Sequence, residues 1–179
     1  MAQMADHPYL DRSSIQAAFQ ALDGRLEAPV MLIVGGGTAM LLAHGLPVRT
    51  RDVDAYTATG HLDDLGPVLR EVAREVGLSS DWLNPWFETF THVLPSDYGS
   101  RLQEVFTGQR LRVMALGVED LLIMKCFAGR EKDVGHARAL LRKKPDLGLV
   151  DGRIQQLIEK GIKGAREAGD FLDDLGAVE

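Results

Sequence analysis

The chain has 179 residues, 45% hydrophobic and 26% charged, which suits one folded domain with a small helical appendage and excludes wholesale disorder. Its single cysteine, Cys126, excludes an internal disulfide framework and a cysteine-rich zinc site. Lys and Arg total 20 against 26 Asp and Glu, and the net charge of −6 argues against a general nucleic-acid coat protein while leaving room for a local basic groove.

Met1 to Leu10 hold no basic stretch leading into an apolar core, so the expectation is a cytoplasmic protein without a signal peptide. Ser13 or Ser14 is expected to cap a helix with Ile15, Ala18, Phe19, Leu22 and Leu26 at helical spacing. Next, Ala28 to Val48 is a run of 21 residues without Asp, Glu, Lys or Arg. It is long enough for a membrane span, but Gly35-Gly36-Gly37 divides it, Pro29 and Pro47 flank it and His44 lies within it. The better reading is a strand covered on both faces (Val30 to Val34), a glycine turn, and a short buried helix (Thr38 to His44) closed by Gly45 and Pro47.

A strand is expected over Thr50 to Thr57, and an amphipathic helix from Leu62 to Val76 that ends at Gly77. Asp81 to Pro85 reads as a loop with a buried aromatic, and Phe87 to Leu94 as a strand. Two more strands, Arg101 to Phe106 and Arg110 to Leu116, flank a turn at Thr107-Gly108-Gln109. The last third reads as helices: Glu119 to Phe127, Lys132 to Arg142 stopped before Pro145, Ile154 to Lys160, and a tail helix near Leu175. The pattern predicts an α+β fold, with a small mixed sheet flanked by helices in residues 1–116 and a C-terminal helical part in 117–179 packed on it as one unit.

Asp52-Val53-Asp54 carries the clearest chemistry. Residues two apart on a strand leave the same face, and two adjacent carboxylates repel unless a cation lies between them. Mg²⁺ suits such a pair, because it binds through one or two carboxylates plus substrate phosphates. The ordinary alternative is a solvated strand face neutralised by Arg49 and Arg51. Just upstream, Gly36-Gly37-Thr38 opens a helix, where free N–H groups and a close backbone approach suit a phosphate. Tight strand-to-helix packing would also explain those glycines.

From Val34 to Ala55 the chain resembles the nucleotidyltransferase superfamily with the DNA polymerase beta fold, whose signature is a hydrophobic residue, Gly-Gly or Gly-Ser, a helix, then Asp-hydrophobic-Asp. Gly36-Gly37-Thr38-Ala39-Met40 and Thr50-x-Asp52-Val53-Asp54 are most similar to bacterial AbiEii-type toxin nucleotidyltransferases, although Arg49 falls one residue late. Asp120 to Leu141 resembles a second segment of these proteins, matched here by Lys125, Arg130, Lys132 and Asp133. Asp81-Trp82-Leu83-Asn84 is similar to related uncharacterised nucleotidyltransferase-like proteins.

The resemblance implies a Mg²⁺-dependent transfer of a nucleotide from a nucleoside triphosphate (NTP) to a hydroxyl of RNA, such as tRNA, or of protein. It also implies a place in a toxin–antitoxin or phage-defence pair with a cognate antitoxin. Asp52 and Asp54 would hold one or two metal ions, and Gly36, Gly37, Thr38 and Arg130 would bind the nucleotide. Lys125 would meet the triphosphate, with Asp133 orienting it. A third carboxylate on a neighbouring strand is open among Asp81, Glu88 and Glu104. A catalytically inactive module of the same fold, acting through nucleotide or protein-partner binding, is the alternative; a nuclease ranks last for want of acidic ligands.

Lys125 and Asp133 also read as a buried structural ion pair joining the two halves. Glu119 and Asp120 suit a helix start, Trp82 and Trp86 packing, and Cys126 a buried apolar filler. His44, His92 and His136 lack metal-ligand spacing. Arg130 to Lys144 has a local charge of +4 within the acidic average, which suits a solvated helix face or a contact surface for an RNA acceptor.

Overall fold

The computed structural model describes residues 9–59 and 62–176, apart from the side chain of Trp86. Most of the segment weighed for a signal peptide and the packing expected of Trp86 therefore lie outside the described residues. The architecture is α+β. The chain divides into two compact units, residues 1–88 with 103–115, and residues 89–102 with 116–179.

The first unit holds a five-stranded mixed sheet in the order β3-β2-β1-β5-β4. Its central strand β1 is Val30–Val34, the apolar run read as covered on both faces, and Leu32, Ile33 and Val34 are all buried. β1 pairs antiparallel with β2 (Val53–Thr57) and parallel with β5 (Leu111–Ala115). β5 forms a hairpin with β4 (Gln103–Thr107), and β2 pairs in parallel with the two-residue β3 (Leu83–Asn84). The uncharged run is therefore a strand, a glycine turn and a helix, and among the described residues no helix is long and apolar enough to cross a membrane.

Helix α1 (Arg12–Asp23) buries Ile15, Ala18, Phe19 and Leu22, the stripe that sequence spacing indicates. Its cap is Asp11 rather than a serine: the Asp11 carboxylate accepts the Ser14 N–H at 2.7 Å, and the Asp11 N–H donates to Ser14 Oγ at 2.9 Å. At its other end, Asp23 accepts the backbone N–H groups of Gln109, Arg110 and Leu111, which pins the β4–β5 turn. Helix α3 (Gly66–Val76) follows a 3-10 turn at Leu62–Leu65 and ends on Gly77 with φ of +71°.

Two segments depart from the sequence reading. Leu83–Asn84, expected in a loop, is strand β3: the Val53 N–H donates to the Trp82 carbonyl at 2.6 Å, and Trp82, fully buried, donates its indole N–H to Leu69 O. Phe87 to Leu94, expected as a strand, lies in 3-10 turns spanning Pro85–Val93 and the bend after them. Phe87, Val93 and Leu94 are buried while Glu88, Thr89 and Phe90 in sequence are exposed, and three consecutive exposed residues cannot satisfy the two-residue period of a half-buried strand.

The second unit is helical: α4 (Val118–Ala128), α5 (Glu131–Leu141), α6 (Leu147–Glu159) and α7 (Ala165–Gly176). α4 is the hub of this unit, with α5, α6 and α7 packed on it. Every residue from Asp120 to Cys126 is buried, as expected of a helix apolar all round. Gly129, in the left-handed region at φ of +57°, separates α4 from α5. The buried Asp120 holds Arg101 in a bidentate ion pair at 2.8 and 2.9 Å, which fastens the 3-10 turn Tyr98–Arg101 to α4.

Candidate functional site

In the first unit, β1 leads through Gly35 into the short helix α2 (Gly36–Leu42), and the turn folds down onto the start of β2. The Gly35 N–H donates to the Asp54 carbonyl at 3.0 Å. A Cβ on any of the three glycines would meet a neighbour: the Phe87 ring at Gly35, the Asp54 carboxylate at Gly36, and Thr50 Cβ at 2.8 Å from Gly37. Gly36 also has φ of +53°, a region costly for residues with a Cβ. Close packing, one of the two readings of these glycines, is thus present, and what Gly36 packs against is the oxygen Oδ2 of Asp54.

Asp54 lies on β2 and Asp52 one residue before it; both are half-buried. One side chain touches both: Asn84 Nδ2 donates to Asp54 Oδ1 at 3.0 Å and reaches Asp52 Oδ2 at 3.5 Å. The two carboxylates therefore converge on a common region, as strand alternation implies. Asn84 stands beside Asp54 in the β2–β3 register, held there by the buried Trp82 two residues earlier. Sequence reasoning passed over Asn84 because a loop offers no register; a buried Trp before a short β-compatible pair was the available signal.

Thr38 is fully buried, and its hydroxyl donates to the Asp52 carbonyl at 3.2 Å, where the Thr50 hydroxyl also donates at 2.8 Å. Both threonines shape the turn around Asp52, and the Thr38 hydroxyl is engaged inside the fold. The Arg49 guanidinium lies 5.2 Å from the centre of the Tyr9 ring, and that of Arg51 lies 5.0 Å from the same ring.

The third-carboxylate candidates separate. Glu104 is on β4, at the opposite edge of the sheet from β2 and β3, where its carboxylate accepts from Arg112 at 2.7 Å. Asp81 accepts from the Ser79 hydroxyl. Glu88 is exposed at the end of the unit. Among the described residues no three His, Cys, Asp or Glu side chains gather as a metal-binding group. The two carboxylates at the start of β2 are hard oxygen ligands and fit Mg²⁺ in its usual setting of one or two carboxylates completed by water and phosphate oxygens, with the Asn84 N–H₂ orienting them.

In the second unit, Lys125 and Asp133 meet as a buried ion pair at 2.7 Å, with Asp133 at 0% exposure. The pair joins α4 to α5 inside the helical unit, instead of joining the two halves. Arg130 adds a second cation, its Nε donating to Asp133 at 2.8 Å. Burial, the largest single influence, pushes the Asp133 carboxyl up, but hydrogen bonds and charge from Arg130 and Lys125 outweigh it and hold the group below the ordinary 3.8. On α5, His136 is pushed down by burial and by Lys125, and its buried Nδ1 has no hydrogen-bond partner. Cys126 is buried, its thiol pushed up to about 12 by burial, as befits an unreactive filler. A cavity of about 390 Å³ lies beside Arg153 in this unit, but that guanidinium is occupied by the carbonyls of His92, Val93 and Leu94.

A small mixed α+β sheet, with a glycine turn closed against paired carboxylates, is the framework of a nucleotidyltransferase-type domain. The family described as "Nucleotidyltransferase of unknown function (DUF6036)" matches residues 13–172, and the chain belongs to that family. No curated protein and no solved structure gives a significant match.

Proposed function

We propose that this protein is a Mg²⁺-dependent nucleotidyltransferase that moves a nucleotide from an NTP to an acceptor hydroxyl, with RNA as the acceptor. One observation supports the reading most: the glycine turn and the Asn84 amide both close on Asp54, so the start of α2 and the acidic pair share one corner of the sheet. Asp52 and Asp54 are the ligands for Mg²⁺, with Asn84 beside them. Bound there, the ion neutralises phosphate charge and favours the ionised acceptor hydroxyl.

The chain's own residues do the rest. The turn at Gly36-Gly37 seats the Asp54 carboxylate against the start of α2, because no Cβ stands between them. The acceptor oxygen forms a bond to the α-phosphorus, the bond from that phosphorus to the β-phosphate oxygen breaks, and pyrophosphate leaves with the electron pair. The hydroxyl proton passes to solvent. The likeness to AbiEii-type toxins in Gly36 to Met40 and Thr50 to Asp54 supports the finer reading, a toxin held in check by a cognate antitoxin.

Incubation of the protein with each α-labelled NTP, Mg²⁺ and bulk tRNA or total protein tests the reading. The expected result is label in RNA that disappears in Asp52→Ala and Asp54→Ala. Absence of transfer with every nucleotide and acceptor would overturn it in favour of a binding module of the same fold.

A further inference from the structure

Positive charge in the second unit gathers at the end of α5. This helix buries Asp133, Ala137 and Leu140 on one face. Arg138 and Arg142 lie one turn apart on the other, about 6 Å along the axis, and Lys143 and Lys144 follow at the helix end. All four are exposed, and none forms an ion pair among the described residues. The acids on either side are engaged elsewhere. Asp133 holds Lys125 and Arg130, and the Asp146 carboxylate accepts the Leu149 N–H as the cap of α6.

Two backbone features of this stretch are unfavourable in themselves. Lys144 has φ of +56° and is the one non-glycine among the described residues in the left-handed region, whereas α3, α4 and α6 are closed by Gly77, Gly129 and Gly161. The Lys143 and Lys144 N–H groups donate to the Leu140 and Leu141 carbonyls at 2.9 Å, which fixes both lysines at the helix end. Gly135, three residues before Arg138 and on its face, weakens the helix relative to alanine, yet a Cβ there would meet no described neighbour. A lysine in the place of glycine adds charge, and a glycine in the place of alanine leaves the backbone open to close approach.

A positive helix face on a chain of net charge −6 is complementary to a polyanion. Residues 131–144 contain no Phe, Tyr or Trp, so bases have nothing to stack on and the contact is with phosphates. No large apolar side chain among them is exposed, so the anchor on which a protein partner's affinity rests is missing. Contact with phosphates rather than bases is how double-helical RNA is held.

We propose that the end of α5, through Arg138, Arg142, Lys143 and Lys144, binds the phosphate backbone of a double-helical segment of an RNA acceptor. The choice of RNA rests on the nucleotidyltransferase reading, while the binding itself needs no catalysis.

The test is fluorescence anisotropy of the full chain with a 5′-labelled RNA hairpin and a single-stranded RNA of the same length, over a range of salt concentrations. Label transfer from NTPs to the same RNAs is measured alongside, and melting curves establish that the variants fold. The hairpin is expected to bind more tightly than the single strand. Arg138→Ala with Arg142→Ala is expected to weaken hairpin binding about 10-fold and to make the slope of log affinity against log salt shallower by about 1.8, two duplex phosphate contacts. Lys144→Gly is expected to make that slope shallower by about 0.9, while its melting temperature holds or rises because the left-handed backbone then carries no Cβ. Leu147→Ala, at the exposed apolar residue that opens α6, is expected to leave binding unchanged.

Unchanged affinity and slope in the arginine and lysine variants, or no binding by the wild type, overturns the proposal. A single strand held as tightly as the hairpin overturns it as well. So does displacement by polyglutamate as effective as by RNA, or loss of binding in Leu147→Ala, either of which would mark a protein partner. Lys144→Gly that melts lower and binds as before would mean that this lysine serves the α5 C-terminus, and counts against the proposal. Binding that depends on α5 without any transfer supports the surface and counts against the enzyme, whereas transfer that ignores Arg138 and Arg142 does the reverse.

Discussion

The two acidic centres of this molecule differ in how deeply they are buried and in the side chains seen to hold them. In the helical unit, Asp133 is wholly buried and meets two cations, Lys125 and Arg130, each at hydrogen-bonding distance. In the sheet unit, Asp52 and Asp54 are only half-buried, and the side chain they share is the neutral amide of Asn84. A carboxylate matched by cations of its own fold is complete and serves cohesion. A half-buried carboxylate pair that shares an amide stays partly open to solvent, where a cation can approach it. Both centres stood together as site residues in the sequence; the structure gives them different surroundings.

That contrast can be broken most sharply at the buried pair. Asp133→Ala should cost about 3–5 kcal/mol, because Lys125 is left buried with its partner gone; chemical denaturation of the full chain measures it. A loss under 1 kcal/mol would place Asp133 with the exchangeable acids instead. Gly36→Ala should come next, at about 1–3 kcal/mol for the left-handed backbone, with loss of nucleotide affinity as the new Cβ displaces the Asp54 carboxylate. A variant with wild-type melting and nucleotide binding would mean the turn and Asp54 do not act together.

Asn84→Ala should leave the fold nearly as stable, and weaken Mn²⁺ binding, followed by the electron paramagnetic resonance of the free ion, by about 10-fold, the lower end for a residue that orients metal ligands. Unaltered Mn²⁺ affinity would reduce Asn84 to packing. The smallest effect is that of pH. Since the folded Asp133 carboxyl lies below its ordinary 3.8, its contribution to stability is fully present above that value and fades as pH falls through the lower folded value. Acid unfolding of the wild type should therefore steepen below about pH 3.8, and the same limb should flatten in Asp133→Asn.

Much of this was readable along the chain, and the reasons differ by element. Val30–Val34 and Val118–Ala128 announce themselves through continuous apolar runs, and Gly77 and Gly129 mark helix ends because left-handed backbone favours glycine. Asp52, Asp54 and the three glycines were visible as a motif. The Asp11 cap was misplaced by a few residues because Asp and Ser compete for the same role, and the Ser14 at issue completes the capping box instead. Phe87 to Leu94 was misread, for its apolar residues Phe87, Phe90 and Val93 recur every third position, which suits a 3-10 turn and not the two-residue period of a strand. Asn84 was illegible as a site residue, for a two-residue strand has no pattern of its own.

The sequence by itself determined the α+β class, the strand–turn–helix at Val30 to Leu42, and the acidic pair beyond it, because backbone periodicity and glycine geometry are local properties. It also determined that Lys125 and Asp133 face inward, since helical spacing assigns faces. Only the tertiary structure decided that Asn84 joins Asp52 and Asp54, that Glu104 stands at the far edge of the sheet, and that Tyr9 lies against Arg49 and Arg51. Each of these depends on the order and register in which distant segments pair. Such pairing is settled by the burial of anchors like Trp82 and Phe19, whose rings pack at 6.4 Å, and not by any residue's immediate neighbours.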